Sequence, residues 1–114
     1  MMYPSEKQHA RAAADPVSRD PNGMTALIRA VDSGQVETVK RLLRVGVDLD
    51  ATDKWGQTAL MLAAGRNDIL CTKLLIQAKA NLNIRARNGL TALGYATDND
   101  QRDTAMLLKR AGAR

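Results

Sequence analysis

Apolar and polar positions along this chain repeat with a period of 33 residues. The phrase G-x-T-A-L-x-x-A occurs three times, beginning at Gly23, Gly56 and Gly89. Each threonine of the phrase follows a turn and precedes an Ala- and Leu-rich run. A helix N-cap belongs at such a place, because the hydroxyl can accept a hydrogen bond from an unpaired N–H of the first turn. The pattern therefore predicts three short first helices, which start after Thr25, Thr58 and Thr91.

A second helix is predicted in each copy, over "VETVKRLLRVG", "ILCTKLLIQAK" and "RDTAMLLKRAG". Apolar residues in these runs recur at helical spacing. One position of the second helix is leucine in all three copies: Leu42, Leu75 and Leu108. The first helices end at residues that tolerate the left-handed conformation: Gly34, Asn67 and Asp100. The segments "VDLDATDKWG" and "ANLNIRARNG" alternate apolar and polar residues into a turn, which predicts a small hairpin finger.

A 33-residue period with a T-A-L core resembles the ankyrin repeat, whose signature is T-P-L-H-x-A. The proline of that signature is replaced here by Ala26, Ala59 and Ala92, and its histidine by Ile28, Met61 and Gly94. We expect apolar packing at Ile28 and Met61 to compensate for the absence of the histidine. The resemblance implies an all-α fold, a solenoid of stacked helix-turn-helix units with β-hairpin or loop fingers.

The phase of the phrase divides the chain into four parts. We predict a degenerate N-terminal capping helix or tail at 1–19, a first repeat at 20–52, a second at 53–85 and a third at 86–114. Both ends are polar enough to serve as caps, which stacked repeats need because their outer faces meet water. Lys79 stands where Gly46 and Gly112 stand, so a left-handed conformation there would cost about 1 kcal/mol.

Composition narrows the class of protein. Apolar residues make up 45% of the 114 residues and aromatic residues only 3%, which predicts an aliphatic core. No run approaches the ~18 apolar residues of a membrane span, and the N-terminus lacks the apolar core of a signal peptide. The single cysteine, Cys71, excludes an internal disulfide and suits a reducing compartment. We therefore expect a cytoplasmic, intracellular protein.

Catalytic chemistry finds no support in the residues. His9 is the only histidine, and no base accompanies Cys71, which we expect to be a buried structural thiol. The acidic run 48–53 lacks the glycine and the closing glutamate of a calcium loop, so a structural role is favoured. We predict no enzyme activity, no catalytic or metal site and no cofactor.

The resemblance implies that finger tips and first helices line up into one concave binding surface. Tip positions and first-helix ends differ between the copies while the T-A-L skeleton does not. The candidate partner-binding residues are Asn22, Met24, Lys54, Trp55, Gln57, Arg66, Arg85, Arg87, Asn88 and Leu90. Trp55 is the only tryptophan, and Trp and Arg are enriched at binding hot spots. In the alternative, Trp55 folds back to cover Met24 or Leu90.

Charge points to the partner. Residues 54–87 carry six bases and one acid, a net charge of +5, whereas residues 20–53 carry four bases and six acids, a net charge of −2. We expect a monomeric, non-catalytic protein–protein interaction module that binds an acidic protein surface, with neither nucleic acid nor a membrane as partner. The alternatives are nucleic-acid binding, suggested by the pI near 9.8, an enzyme-inhibiting or immunity-type ankyrin protein, and self-association through Met106 or Leu107.

Overall fold

The computed structural model describes residues 19–114, in which six helices and no β-strand occur. The helices are α1 (Ala26–Asp32), α2 (Val36–Val45), α3 (Ala59–Gly65), α4 (Ile69–Gln77), α5 (Ala92–Asp98) and α6 (Arg102–Arg110). The fold is all-α, as predicted, and the fingers are hydrogen-bonded turns. The predicted capping helix or tail at 1–19, with His9, lies outside the described residues except for Arg19.

Threonine begins each of the first helices α1, α3 and α5. Its side-chain oxygen accepts a hydrogen bond from the N–H three residues on, at 3.2 Å in all three copies. The predicted N-caps are confirmed. Met61 extends the cap of α3, because its thioether sulfur accepts the N–H of Thr58 at 3.4 Å. At the position of the family histidine, α3 thus has a weak sulfur acceptor in place of an imidazole.

Left-handed residues end the helices. Asn67 and Asp100 follow α3 and α5 with φ of 57° and 59°, and Lys79 follows α4 with φ of 74°. Lys79 therefore adopts the conformation that the sequence predicted for it. A lysine at this φ destabilises the fold by about 1 kcal/mol relative to glycine, the residue that follows α2 and α6.

The helices stack in two layers. The first-helix layer consists of α1, α3 and α5, and the second-helix layer of α2, α4 and α6; neighbouring helices contact within each layer and across each repeat. Leu42, Leu75 and Leu108 are buried, as their shared register predicts. Burying one such side chain contributes about 1.5–3 kcal/mol. Ile28 and Met61 are also buried.

One face of the third repeat departs from the apolar pattern of the other two. Val31 and Ala64 of the first two repeats are fully buried, whereas Thr97, 33 residues further on, is exposed. Arg102 and Lys109 likewise stand in register with Ile69 and Ile76. Polar side chains at these positions suit a surface that meets water. The assignment of the third repeat as a C-terminal cap stays a prediction.

Candidate functional site

Three fingers, one before each first helix, are built on the same tight turn. Finger 1 comprises residues 20–24, finger 2 residues 53–57 and finger 3 residues 86–90. In finger 2 the Asp53 N–H donates to the Gln57 carbonyl and the Gly56 N–H to the Asp53 carbonyl, both at 3.0 Å. The corresponding two bonds close fingers 1 and 3. Each finger therefore has a defined shape without strand pairing.

Backbone hydrogen bonds join the fingers into one row. The Lys54 N–H donates to the Asn22 carbonyl at 3.0 Å, and the Arg87 N–H donates to the Trp55 carbonyl at 3.1 Å. Gly56, with φ of 78°, permits the second bond, because a Cβ there would lie 3.0 Å from the Arg87 nitrogen. Four candidate residues, one or two from each finger, are thus brought together by main-chain bonds.

Aspartate side chains stabilise the first two fingers from within. Oδ1 of Asp53 accepts the N–H groups of Trp55 and Gln57, each at 2.9 Å. Asp20 does the same in finger 1. Its Oδ2 also lies 4.0 Å from Nη1 of Arg29, whereas Oδ2 of Asp53 is buried and has no partner among the described residues. Oδ1 of each carboxylate is therefore engaged within its own turn.

Trp55 projects from the middle of the row. Its residue surface is 46% exposed, and Nζ of Lys54 lies 4.6 Å from the centre of its ring. A cation in this position is attracted to the electron-rich face of the indole. Half of the tryptophan surface stays open to solvent, so an aromatic surface and a positive charge are presented side by side.

Tyr95 ties fingers 2 and 3 together and was missed by the sequence reasoning. Its hydroxyl oxygen on α5 accepts hydrogen bonds from Nε2 of Gln57 and Nδ2 of Asn88, both at 3.1 Å. The same position is Arg29 in α1 and Leu62 in α3. Variation between the copies was the criterion by which tip and helix-end residues were selected. The same criterion could have identified Tyr95.

Two candidate residues lie outside the three finger turns. Arg66 follows α3, whose seven residues span about 10 Å, and its Nη1 lies 3.9 Å from Oδ1 of Asp32. Arg85 lines a shallow cavity of about 280 Å³ with Asn83, Thr91 and Arg114. Arg66 and Arg85 stay predicted partner-binding residues, and no bond described above joins either of them to Trp55.

Met24 and Leu90 are only partly exposed and belong to the framework of their fingers. Met24 packs against the buried core. Leu90 approaches α5 so closely that a Cβ on Gly94 would lie 3.1 Å from its Cδ2. Gly94 thus leaves room for Leu90, although a glycine inside a helix costs about 0.8–1.0 kcal/mol relative to alanine.

The remaining chemistry-bearing residues have structural roles. Asp48 accepts the N–H of Asp50 at 3.0 Å, and Asp50 accepts the N–H of Asn81 at 2.9 Å. Residues 19–114 contain no cluster of ligating side chains suited to a metal ion. Cys71 is fully buried. Burial, and then the hydrogen bond and negative charge of Asp68, raise the pKa of its thiol to about 12, so it is no nucleophile near neutral pH.

No helix among the described residues combines the length and apolar character that crossing a bilayer requires.

Comparison with known proteins places these repeats in a family. No curated protein matches the chain. A family model described as ankyrin repeats (3 copies) matches residues 33–114, well over half of the chain. The chain therefore belongs to the ankyrin-repeat family, whose repeats generally mediate protein–protein interaction and are typically non-catalytic.

Proposed function

We propose that the finger row binds a partner protein through an acidic segment, with Trp55 as its central anchor. The observation that carries this proposal is the exposure of Trp55 beside the Lys54 ammonium, on a turn that five hydrogen bonds define. These are the two backbone bonds of the turn, the two N–H bonds to Asp53 and the bond from Arg87. An exposed tryptophan on a rigid support is the kind of residue that dominates binding energy.

Rigidity of the row supports the proposal further. The main-chain bonds between fingers and the Tyr95 hydroxyl hold Trp55, Arg87 and Asn88 in fixed relation before any partner arrives. Side chains and loops that are already ordered lose less conformational entropy on binding. The row would therefore bind as a preformed surface.

Charge selects an acidic partner. Lys54 and Arg87 are exposed at neighbouring tips, whereas Asp20 and Asp53 use Oδ1 to cap their own turns. The three fingers thus present two exposed bases and no exposed acid. Arg66 and Arg85 would lie at the rim of a bound segment, where a base changes the association rate more than the affinity.

A peptide array would test the proposal without knowledge of the natural partner. Asp/Glu-rich, neutral and Lys/Arg-rich peptides are spotted in equal numbers and probed with the full chain. Acidic peptides should bind, and Trp55→Ala should weaken binding by about 30-fold, the effect of a hot-spot residue. Arg87→Glu should weaken it by about tenfold or more, since it places like charge against the peptide.

Arg44→Glu is the matched control for Arg87→Glu. It makes the same change in net charge on the second-helix layer, where Arg44 is exposed, and should leave peptide binding nearly unchanged. Helical circular dichroism should be preserved in all three variants. Binding that survives both Trp55→Ala and Arg87→Glu would show that the site assignment is wrong.

The same surface bears on the two alternatives. Nucleic-acid binding through the tips would appear as affinity for oligonucleotides that falls steeply with salt. Trp55 is the single exposed aromatic of the finger row, whereas single-stranded nucleic acids are usually bound by several stacked aromatics. An enzyme inhibitor would use the same finger row, so the identity of proteins captured by the wild type and not by Trp55→Ala would distinguish it from a scaffold.

A further inference from the structure

The positive charge of the described residues is concentrated on the second-helix layer. Helices α2, α4 and α6 hold seven bases against two acids, a net charge of +5, whereas the rest of residues 19–114 holds eight of each. Six of the seven bases are exposed; they are Arg41, Arg44, Lys73, Arg102, Lys109 and Arg110. The seventh, Lys40, places Nζ 3.5 Å from Oε2 of Glu37. This layer is separate from the fingers, whose function does not use it.

Exposed apolar side chains share this layer. Four large apolar residues of the described part are strongly exposed, and three of them, Val45, Leu70 and Met106, lie on α2, α4 and α6. Leu70 and Lys73 are three residues apart on α4, and Met106 and Arg110 are four apart on α6. Residues at these spacings lie on the same helix face. Apolar side chains and bases therefore emerge together.

The 33-residue period aligns these side chains across the helices. Lys40, Lys73 and Met106 occupy one register position, and Arg44, Gln77 and Arg110 another. Packed helices lie about 8–10 Å apart, so the bases and apolar groups are spread over a face roughly 20 Å wide. We call this the basic face, and define it by Lys40, Arg41, Arg44, Leu70, Lys73, Met106 and Arg110.

A shallow hollow of about 380 Å³ lies on the basic face between α4 and α6. Its lining combines apolar Ile69, Met106 and Leu107 with the two bases Lys73 and Arg110 and the single carboxylate Asp103. An anionic headgroup with an attached hydrocarbon matches this lining, because the bases would contact the headgroup and the apolar groups the chain.

We propose that the basic face binds the surface of a bilayer that contains anionic phospholipids, which replaces the expectation from sequence that a membrane is no partner. Such a surface offers negative charge over the whole width of the face and an apolar phase for Leu70 and Met106. Nucleic acid fits less well: α2, α4 and α6 contain no aromatic residue to stack on bases, and phosphates offer nothing apolar. An acidic protein segment fits less well too, because the bases extend over three helices, a face wider than the diameter of one helix, about 10–12 Å.

Vesicle flotation with the full chain tests the proposal. Vesicles of phosphatidylcholine alone and with about 30% phosphatidylserine are compared at about 0.05 M and 0.5 M salt. The wild type should float only with the anionic vesicles, and less of it at high salt. A base close to an anionic surface strengthens binding about fivefold. The double variant Lys73→Glu with Arg110→Glu should therefore weaken binding at least about 25-fold.

The double variant Lys54→Glu with Arg87→Glu is the matched control. It makes the same change in net charge on the fingers, so vesicle binding should fall by less than about threefold. The two double variants also separate this proposal from the finger function, since each should lose one activity and retain the other. The variant Leu70→Ser with Met106→Ser keeps every charge but removes two exposed apolar side chains. It should therefore lose the part of the vesicle binding that persists at high salt.

Three results would overturn the proposal. The first is a wild type that fails to float with anionic vesicles at low salt. The second is an equal loss of binding in the two charge-reversed variants, since that would show dependence on net charge alone. The third is saturable binding to a DNA duplex or to polyglutamate that depends on Lys73 and Arg110 without any vesicle binding. Circular dichroism confirms that each variant is folded.

Discussion

Fingers 2 and 3 are turns with the same backbone hydrogen bonds, yet different interactions stabilise them. In finger 2 the Asp53 carboxylate accepts two N–H groups, and finger 3 packs so closely that Gly56 has no room for a Cβ. In finger 3 Ala86 replaces the aspartate, Oδ1 of Asn88 accepts the Leu90 N–H at 3.0 Å, and no atom lies within 4 Å of a Cβ built on Gly89. Asp53 and the closely packed finger 3 stabilise finger 2, whereas Asn88 and Tyr95 stabilise finger 3.

This difference shows how a repeated motif acquires distinct positions. Each finger uses the bonds within its own turn, but only a finger followed by another one is covered on both sides. Trp55 stands on the covered finger, where it gains a rigid base while its side chain stays exposed. A hot-spot residue is best supported in such a place, because its surroundings are already ordered.

The largest expected effect on stability is that of an alanine substitution at Gly56, and it should exceed that of the same substitution at Gly89. Gly56→Ala should lower the free energy of unfolding by about 2–3 kcal/mol, since it adds left-handed strain and a collision with the Arg87 backbone. Gly89→Ala should cost only about 1 kcal/mol, because its φ of 86° adds strain while the space around it is open. Equilibrium urea unfolding measures both, and an equal decrease in stability would contradict the comparison.

Removal of the carboxylate should have the next largest effect. Asp53→Ala leaves the Trp55 and Gln57 N–H groups without their acceptor and should cost about 1–2 kcal/mol. Relief of the buried, unpartnered Oδ2 offsets part of this cost. The matched change in finger 3, Asn88→Ala, removes the acceptor of one N–H and the donor to the Tyr95 hydroxyl, and should cost about half as much because Asn88 is exposed to water. Thermal unfolding of the pair gives the ratio, and a greater destabilisation by Asn88→Ala would show that finger 3 depends more on its side chain.

Loss of the two hydrogen bonds to the Tyr95 hydroxyl should lower the stability less, and mainly in finger 3. Tyr95→Phe removes the acceptor of two amide groups and should cost about 0.5–1 kcal/mol. Hydrogen exchange at the Gly89 N–H should accelerate more than at the Gly56 N–H, because Asp53 and finger 3 still support finger 2. Asn88→Asp serves as a comparison, because its carboxylate keeps an acceptor for Leu90 and can accept the Tyr95 O–H, so it should disturb finger 3 less than Tyr95→Phe does. Equal acceleration in both fingers would argue against it.

The smallest expected effect concerns the Lys54 ammonium over Trp55. Lys54→Ala should leave unfolding unchanged and make the tryptophan fluorescence more sensitive to a neutral quencher, because one face of the ring is uncovered. Lys79→Ala, which removes an ammonium elsewhere, serves as the control and should not alter quenching. Identical quenching in the wild type and Lys54→Ala would mean that the lysine does not cover the ring in solution.

Much of the fold could be predicted because its signals are local. A threonine cap acts over three residues, a left-handed stop over one, and Leu42, Leu75 and Leu108 repeat in one register. The left-handed Lys79 followed from the same phase. The form of the fingers was predicted less well, because alternating residues predict a hairpin, whereas the structure has a closed turn that Asp53 stabilises in finger 2.

The candidate site was predicted in part. The phase placed Lys54, Trp55 and Arg87 at successive tips, and hydrogen bonds between fingers bring their backbones together. Arg66 was grouped with them by charge, yet it lies at the other end of α3 and near Asp32. Tyr95 was overlooked because its position lies inside a first helix, and only the folded chain brings its hydroxyl to two fingers.

The sequence by itself determined the period, the helix starts and stops, the aliphatic core and the membership of the chain in a stacked-repeat family. Each of these depends on interactions between residues a few positions apart, repeated at a constant spacing. Only the tertiary structure decided which side chains meet across that spacing: the Tyr95 tie, the close packing at Gly56, the Arg66–Asp32 pair and the basic face. Interactions between residues about 33 positions apart depend on how closely adjacent units pack, and that distance follows from the packing of side chains in three dimensions.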